Sequence, residues 1–222
     1  MKKSLLLLAS CLLLCLSVQA QNKRRPQEST RVYMELGPSL SWTYGNQSAT
    51  SLDPLLGFNF GLGYTKPLYG ALYTHTGLYV TRKGFRFTGQ LFDILGQPIG
   101  FADETGIFDY LIVPYLLRYE AGDRMRVYIE AGPYAGFLYR AESKVFNEPP
   151  MDITSSFKRY DVGASAGIGF GFSLGENFFG TVGARYSIGF VDIRENSSSG
   201  VGPVKTSAVD GRFGFGYWLA NR

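Results

Sequence analysis

The stretch that decides the fold runs from Asp161 to Leu174 and reads DVGASAGIGFGFSL. Every second residue from Val162 onward is apolar, and the residues between them are glycine or serine. Successive side chains of a β-strand point to opposite faces. The pattern therefore predicts a strand with one apolar face and one face of very small residues.

The same alternation recurs along the chain and predicts eight strands of about ten residues or more. They cover residues 32–42, 56–65, 71–87, 108–119, 126–139, 161–174, 181–190 and 209–219. In Tyr110–Leu117 both faces are apolar, so the pattern does not assign the facing of the strand at 108–119. An internal repeat supports the count, because Arg31–Pro38 and Arg126–Pro133 share six of eight residues and each half supplies four strands.

The connections between the predicted strands alternate in length. Short links lie at residues 66–70, 120–124 and 175–177, and long polar ones lie near 44–55, 88–107, 140–159 and 191–207. Up-and-down barrels of bacterial outer membranes have short periplasmic turns and longer outer loops. The sequence thus predicts an all-β fold, an eight-stranded antiparallel up-and-down transmembrane β-barrel.

The first twenty residues predict a cleaved signal peptide. Lys2 and Lys3 precede a leucine-rich core, and small residues before Gln21 suit a secretory peptidase. A lipoprotein cleavage before Cys11 is the alternative. The predicted organisation is a signal peptide at 1–20, an N-terminal periplasmic segment at 21–30 and the barrel at 31–222.

Composition excludes several classes of protein. An aromatic content of 15% argues against a disordered chain, and 28 glycines without a three-residue period argue against helical bundles and collagen. Removing the predicted signal peptide removes both cysteines, which excludes disulfides and thiolate metal sites. It also lowers the formal net charge from +4 to +2, too little to indicate nucleic-acid binding.

The direction of the apolar face separates a membrane barrel from a soluble one. In a lipocalin-like periplasmic carrier the apolar face lines the interior, which leaves a surface of Gly and Ser that is poor for solubility. In a membrane barrel the apolar face meets lipid, and the small face fills a narrow interior. We favour the membrane arrangement, with Tyr64, Tyr119, Tyr139, Tyr217, Trp42 and Trp218 near strand ends as an aromatic girdle. Packing inside the barrel is the alternative for some of them, since Trp218 alternates onto the polar face.

The predicted inner face carries charged residues as well as glycines. We predict that they form buried ion pairs that plug the bore, because an unpaired charge there is very costly. The predicted structural network consists of Glu35, Glu130, Asp161, Arg185, Asp210 and Arg212. An acid–base carboxylate pair, Glu35 with Glu130, is the catalytic alternative.

Few residues suggest a catalytic, cofactor-binding or metal-binding site. His75 is the only histidine, and some small barrels that modify lipids use a histidine with a nearby serine as nucleophile. His75 is followed by Thr76 and Gly77, so the serine expected two residues later is missing. We therefore predict no catalytic residue, cofactor or metal, and keep a lipid-modifying enzyme centred on His75 as the alternative.

Two features of the outer end suggest partners. Five basic residues near the outer strand ends are candidate contacts for phosphates of outer-membrane lipopolysaccharide, or are ordinary solvated charges. They are Arg82, Lys83, Arg86, Lys158 and Arg159. The predicted loops 88–107 and 140–159 are more apolar than free loops need to be, so they fold over the barrel mouth or contact another envelope protein. We expect a monomer.

Several motifs occur in the order found in one family of small barrels. They are Gly61–Tyr64, Thr81–Phe85, Tyr110–Leu117, Glu130–Tyr134, Asp161–Gly163 and Arg185-Tyr186. In their order and spacing they resemble the PorT-like outer-membrane β-barrel family across almost the whole mature chain. The resemblance implies an eight-stranded barrel without a catalytic centre. For the founding member it implies participation in a dedicated protein-secretion system.

Overall fold

The computed structural model describes residues 29–45, 53–92, 97–122, 125–145, 148–195 and 203–219. The predicted signal peptide and all but the last two residues of the predicted N-terminal segment lie outside these ranges. Among the described residues, no helix is both long and apolar enough to span a membrane.

Nine strands and one short 3₁₀ turn make up the described secondary structure. The strands are β1 (Thr30–Gly45), β2 (Asp53–Tyr69), β3 (Leu72–Phe92), β4 (Pro98–Ala121), β5 (Met125–Val145), β6 (Met151–Asp152), β7 (Tyr160–Ser173), β8 (Phe178–Gly189) and β9 (Val204–Leu219). The 3₁₀ turn is Thr154–Ser156.

Eight of these strands close into a ring. Each pairs antiparallel with its neighbours in the order β1, β2, β3, β4, β5, β7, β8, β9, and β9 pairs again with β1. The added two-residue β6 pairs only with Glu142 and Ser143 of β5. The predicted eight-stranded barrel is confirmed, and closing the ring leaves its strands without the open edges that a flat sheet would expose.

The two faces of the strands point as the alternation predicts. On β7, Val162, Ile168 and Phe170 are exposed on the outer wall, whereas Asp161 and Ser165 are buried inside. The facing that the sequence did not assign is resolved on β4, where even-numbered residues such as Leu116 and Arg118 point inward.

The inward glycines make room for large side chains from neighbouring strands. A Cβ atom at Gly163 would lie 2.6 Å from the Tyr134 ring, and one at Gly169 would lie 2.4 Å from the Tyr128 hydroxyl. Tyrosines and arginines therefore fill the bore because the residues opposite them have no side chain.

The barrel has one end of tight turns and one end of longer segments. Gly70 and Gly175 lie in two tight turns with φ of 59° and 115°, a backbone region that glycine adopts without steric cost. At the other end the predicted loop at 88–107 is largely wrong, and the predicted loop at 140–159 begins only after Val145. β3 and β4 stay paired as far as Phe92 and Pro98, and β5 continues to Val145. Residues 88–107 have the composition of a loop, yet they continue the β3–β4 ladder in the register of the barrel strands.

Candidate functional site

The centre of the bore is built around Glu130 of β5. Its carboxylate accepts hydrogen bonds from Arg118 Nη2 at 2.6 Å and from Arg185 Nε at 3.0 Å, and His75 Nδ1 lies 2.7 Å away. All four side chains are buried. Because β3, β4, β5 and β8 each contribute one of them, the cluster ties together strands on different sides of the bore.

A second carboxylate, Glu35 of β1, extends this cluster. It accepts hydrogen bonds from Arg212 of β9 and from the Tyr79 hydroxyl, the latter at 2.7 Å. The Tyr79 oxygen also lies 3.1 Å from His75 Nε2, and Arg212 Nη1 lies 3.7 Å from Glu130. We call these residues, with Glu130, Arg118 and Arg185, the central layer.

A further ion pair lies at the end with the tight turns, and its carboxylate, Glu120, is 3.8 Å from Arg118 Nη1 of the central layer. Arg31 of β1 donates two hydrogen bonds, of 2.9 and 2.7 Å, to Glu120 of β4 across the bore. Its guanidinium also lies over the rings of Tyr73 at 4.6 Å and Trp218 at 5.3 Å. This lower layer is compact, and it places Trp218 inside the barrel instead of in the aromatic girdle.

Above the central layer, Lys83 points inward and not toward lipid. Its ammonium group lies 3.2 Å from Asp161, which also accepts a hydrogen bond of 3.0 Å from the Tyr134 hydroxyl. Lys83 is 1% exposed. The prediction that it contacts glycolipid is wrong, because Lys83 shares the inward phase of β3 with His75. We call this group the upper layer.

Asp210, unlike the other predicted network residues, lies outside the lower, central and upper layers. It is buried beside a cavity of about 20 Å³ that Arg185 and Arg212 also line. Its Oδ1 atom and Arg212 Nη1 have no hydrogen-bond partner among the described protein atoms. The cavity has room for about one water molecule, which is the size needed to bridge such groups.

The fully buried charges described in the bore occur in equal numbers of each sign. Among the described residues that are buried there, five are cationic, namely Arg31, Lys83, Arg118, Arg185 and Arg212, and five are carboxylates, namely Glu35, Glu120, Glu130, Asp161 and Asp210. Arg126, which is less buried, adds a guanidinium at the lower end, 4.3 Å from the Trp218 ring. Arg31, Arg118 and Glu120 were not among the predicted network residues. The spacing of Arg118 and Glu120 was the available signal, since residues two apart share one face of a strand.

The mouth of the barrel at the end away from the tight turns is covered by residues 153–157 and Ile193. We call these residues the lid. Ile153, Phe157 and Ile193 of the lid pack against the fully buried side chains of Phe108, Tyr110, Leu138 and Ala141. The rings of Phe157 and Phe108 have centroids 4.8 Å apart. The Lys158 backbone N–H donates to the Ile193 carbonyl at 2.7 Å, which joins the two segments of the lid.

The remaining predicted basic contacts lie near this end. Arg82 makes a two-bond pair with Asp109, at 2.7 and 2.9 Å, and Arg86 pairs with Asp103 at 2.9 Å. Lys158 and Arg159 lie beside the lid, and Arg159 is exposed. Contact of these four residues with glycolipid stays a prediction.

The geometry around His75 does not suit catalysis. Its ring is fully buried between charged groups of the central layer, and Thr76 points to the other face. A lipid substrate has no open position beside it. In the part of the chain that the structure describes, no group of three or more His, Cys, Asp or Glu residues is placed to hold a metal ion.

The sequence itself matches a known family. Residues 19–195 fit the family described as "Outer membrane protein beta-barrel domain". The chain belongs to this family. It is therefore a transmembrane β-barrel of the bacterial outer membrane, and the soluble lipocalin-like alternative is wrong because the apolar side chains cover the outer wall.

Solved structures of other outer-membrane barrels are similar in fold at low identity. Ail of Yersinia pestis, solved with the heparin analogue sucrose octasulfate, is 17% identical with a TM-score of 0.43, over 86% of this chain and 99% of that one. OprG of Pseudomonas aeruginosa is 16% identical with a TM-score of 0.44, over 89% and 99%. Neisserial surface protein A is 12% identical with a TM-score of 0.49, over 86% and 97%. No curated protein matches the sequence.

Proposed function

We propose that this protein is a sealed outer-membrane barrel that acts as a structural and interaction component at the cell surface, not as a pore. The observation that carries the proposal is the filling of the bore at successive levels. The lower, central and upper layers and the lid each place large buried side chains across it. Solutes larger than water find no continuous path through such an interior.

The surface left for function lies at the ends of the barrel. The largest described structure beyond the wall is the hairpin of β3 and β4, at the end with the long connections. In this family of architectures that end faces the outside of the cell. We propose that the hairpin is the contact surface for a partner protein, and that contact with glycolipid through Arg82, Arg86, Lys158 and Arg159 anchors the rim.

The PorT-like resemblance extends this proposal. Motifs from Gly61 to Tyr186 follow the order of that family. The partner we propose on this ground is a component or a substrate of an envelope secretion system.

The experiment places a photo-cross-linking amino acid at Thr88 on the hairpin, with a matched probe at Tyr69 in a tight turn at the opposite end. We expect discrete adducts in intact cells from position 88 and none from position 69. Planar bilayers containing the purified barrel should show no conductance steps. Adducts only from position 69, or steady conductance in the wild-type protein, would show that the proposal is wrong.

A further inference from the structure

The outer wall of the barrel has a groove close to the end with the tight turns. Its volume is about 460 Å³, and Val32 and Met34 of β1 lie along it. Val32 pairs with Tyr64 of β2 on one side and with Tyr217 of β9 on the other, so the two tyrosines flank the smaller valine. All three side chains are 38–40% exposed on the outer wall. The groove therefore opens toward the membrane.

The β9 side of the groove is a packed aromatic group. The Phe178 ring stacks on the Phe215 ring with centroids 5.5 Å apart, and it meets the Tyr217 ring edge-on at 5.4 Å. On the β2 side Leu62 and Tyr64 line the groove. Side chains that already pack against each other lose little freedom when a ligand binds beside them. The groove is thus largely formed before any ligand occupies it.

A cation lies at the end of the groove that is nearer the periplasm. Lys66 follows Tyr64 by two residues on the same outward face of β2, and its side chain is exposed. Residues 21–28, which precede β1 in the chain, contain three cationic side chains and one carboxylate, so they add no net negative charge. The charge at this end favours an anionic group, and lysine is a common partner of phosphate.

The internal repeat places an equivalent valine in the second half of the chain without this cation. Val127 occupies the position in Arg126–Pro133 that Val32 occupies in Arg31–Pro38. Val127 pairs with Phe170 of β7 as Val32 pairs with Tyr64. Two residues beyond Phe170 stands Phe172, where the first half has Lys66. An outward cation beside the valine therefore distinguishes the first half from the second.

We propose that the groove holds one phospholipid of the periplasmic leaflet, with an acyl chain beside Val32 and Met34 and the headgroup phosphate at Lys66. Acyl chains touch the whole outer wall, so a retained lipid needs more than apolar contact. Lipid and wall are equally apolar, and close packing supplies the attraction between them. The groove provides this packing, and Lys66 adds attraction for the phosphate.

The sequence next to the groove does not suit it as an occupant. QNKRRPQE at residues 21–28 precedes β1, and ANR at residues 220–222 follows β9. Neither stretch contains a large apolar side chain, and charged groups are costly to place against an apolar wall inside a membrane. The predicted signal peptide is leucine-rich and could compete with lipid, so the test uses the mature barrel that begins at Gln21.

The test adds dioleoylphosphatidylglycerol to the refolded mature barrel in detergent and counts bound lipids by native mass spectrometry. We expect one molecule to bind more tightly than any that follow. Val32→Trp should weaken this first binding step about tenfold, because the indole fills the groove and removes on the order of ten carbon contacts. The matched control, Val127→Trp, makes the same change at the equivalent position and should leave the first step unchanged.

A second variant tests the phosphate contact. Lys66→Gln should weaken the first step about fivefold, the effect of one cation near an anionic lipid. Binding of dioleoylglycerol, which has no phosphate, should not change in this variant. Heat-dependent gel mobility checks that every variant is folded. Equal weakening by the two tryptophan variants, or no distinct first step, would indicate ordinary contact with bulk lipid and overturn the inference. Wild-type binding of phosphatidylglycerol by Lys66→Gln would also overturn it.

Discussion

Glu130 is the residue on which the charge balance of the central layer depends. Two guanidiniums and His75 lie within hydrogen-bond distance of its carboxylate, and a third guanidinium, that of Arg212, lies 3.7 Å away. In the Glu130→Gln variant, Glu35 is the carboxylate that remains in the central layer to neutralise these cations. Removing one partner of a buried pair leaves an uncompensated charge, so we expect a loss of about 3–5 kcal/mol in the free energy of unfolding.

The measurement is the urea midpoint of the folded barrel in detergent, followed by its heat-dependent gel mobility. Arg86→Gln is the matched control, because it breaks the exposed pair with Asp103 at the surface. We expect the control to unfold at the wild-type midpoint. A Glu130→Gln barrel as stable as wild type would mean that the central layer contributes no net stability.

At the scale of one strand, β7 provides a comparison between two inward glycines. A Cβ atom at Gly169 would lie 2.4 Å from the Tyr128 hydroxyl and 2.6 Å from the Val182 carbonyl, whereas at Gly171 the nearest atom is 3.9 Å away. We expect Gly169→Ala to destabilise the barrel by about 1–3 kcal/mol through overpacking. Gly171→Ala should be neutral or slightly stabilising, because it restricts the unfolded chain.

Urea unfolding of the two alanine variants side by side checks this prediction. Both substitutions add the same methyl group to the same face of the same strand. A difference in stability therefore reports the space around each glycine and not the loss of backbone freedom. Equal destabilisation by both substitutions would show that the inward glycines of β7 provide strand flexibility and do not serve to make room for Tyr128.

The strands and their facing were predictable because both follow from neighbouring residues. The alternation in Asp161–Leu174 fixes which side chains meet lipid, whatever the remainder of the chain does. Partners across the bore depend instead on barrel closure, which no local pattern encodes. Lys83 shows the difference, since its place near the strand end suggested lipid while its phase along β3 directs it to Asp161.

The hairpin shows a second limit of the sequence pattern. Residues 88–107 contain Gly89, Pro98 and Gly100, which are typical of loops. Their pairing follows from the barrel, because the register of β3 and β4 in the barrel wall continues into the hairpin. A composition-based reading cannot detect order that is propagated from another part of the same ladder.

On the scale of the whole molecule, the bore is closed more than once. The lid and the upper layer lie at the outer end, and the central and lower layers follow toward the periplasm. Each layer joins strands that are not neighbours in the ring, as Arg31 and Glu120 do from β1 and β4. Redundant closure means that losing one layer should not open a path for solutes.

The lid provides the test of this redundancy. The double variant Phe157→Ala with Ile193→Ala removes its main apolar contacts with the group around Phe108. We expect faster hydrogen exchange at the Lys158 amide, which bonds to the Ile193 carbonyl in the closed lid. Conductance in planar bilayers should stay at the baseline, because Lys83 and Asp161 still close the bore beneath. Conductance steps in this variant would show that the lid alone seals the barrel, and the protein would then be a gated pore.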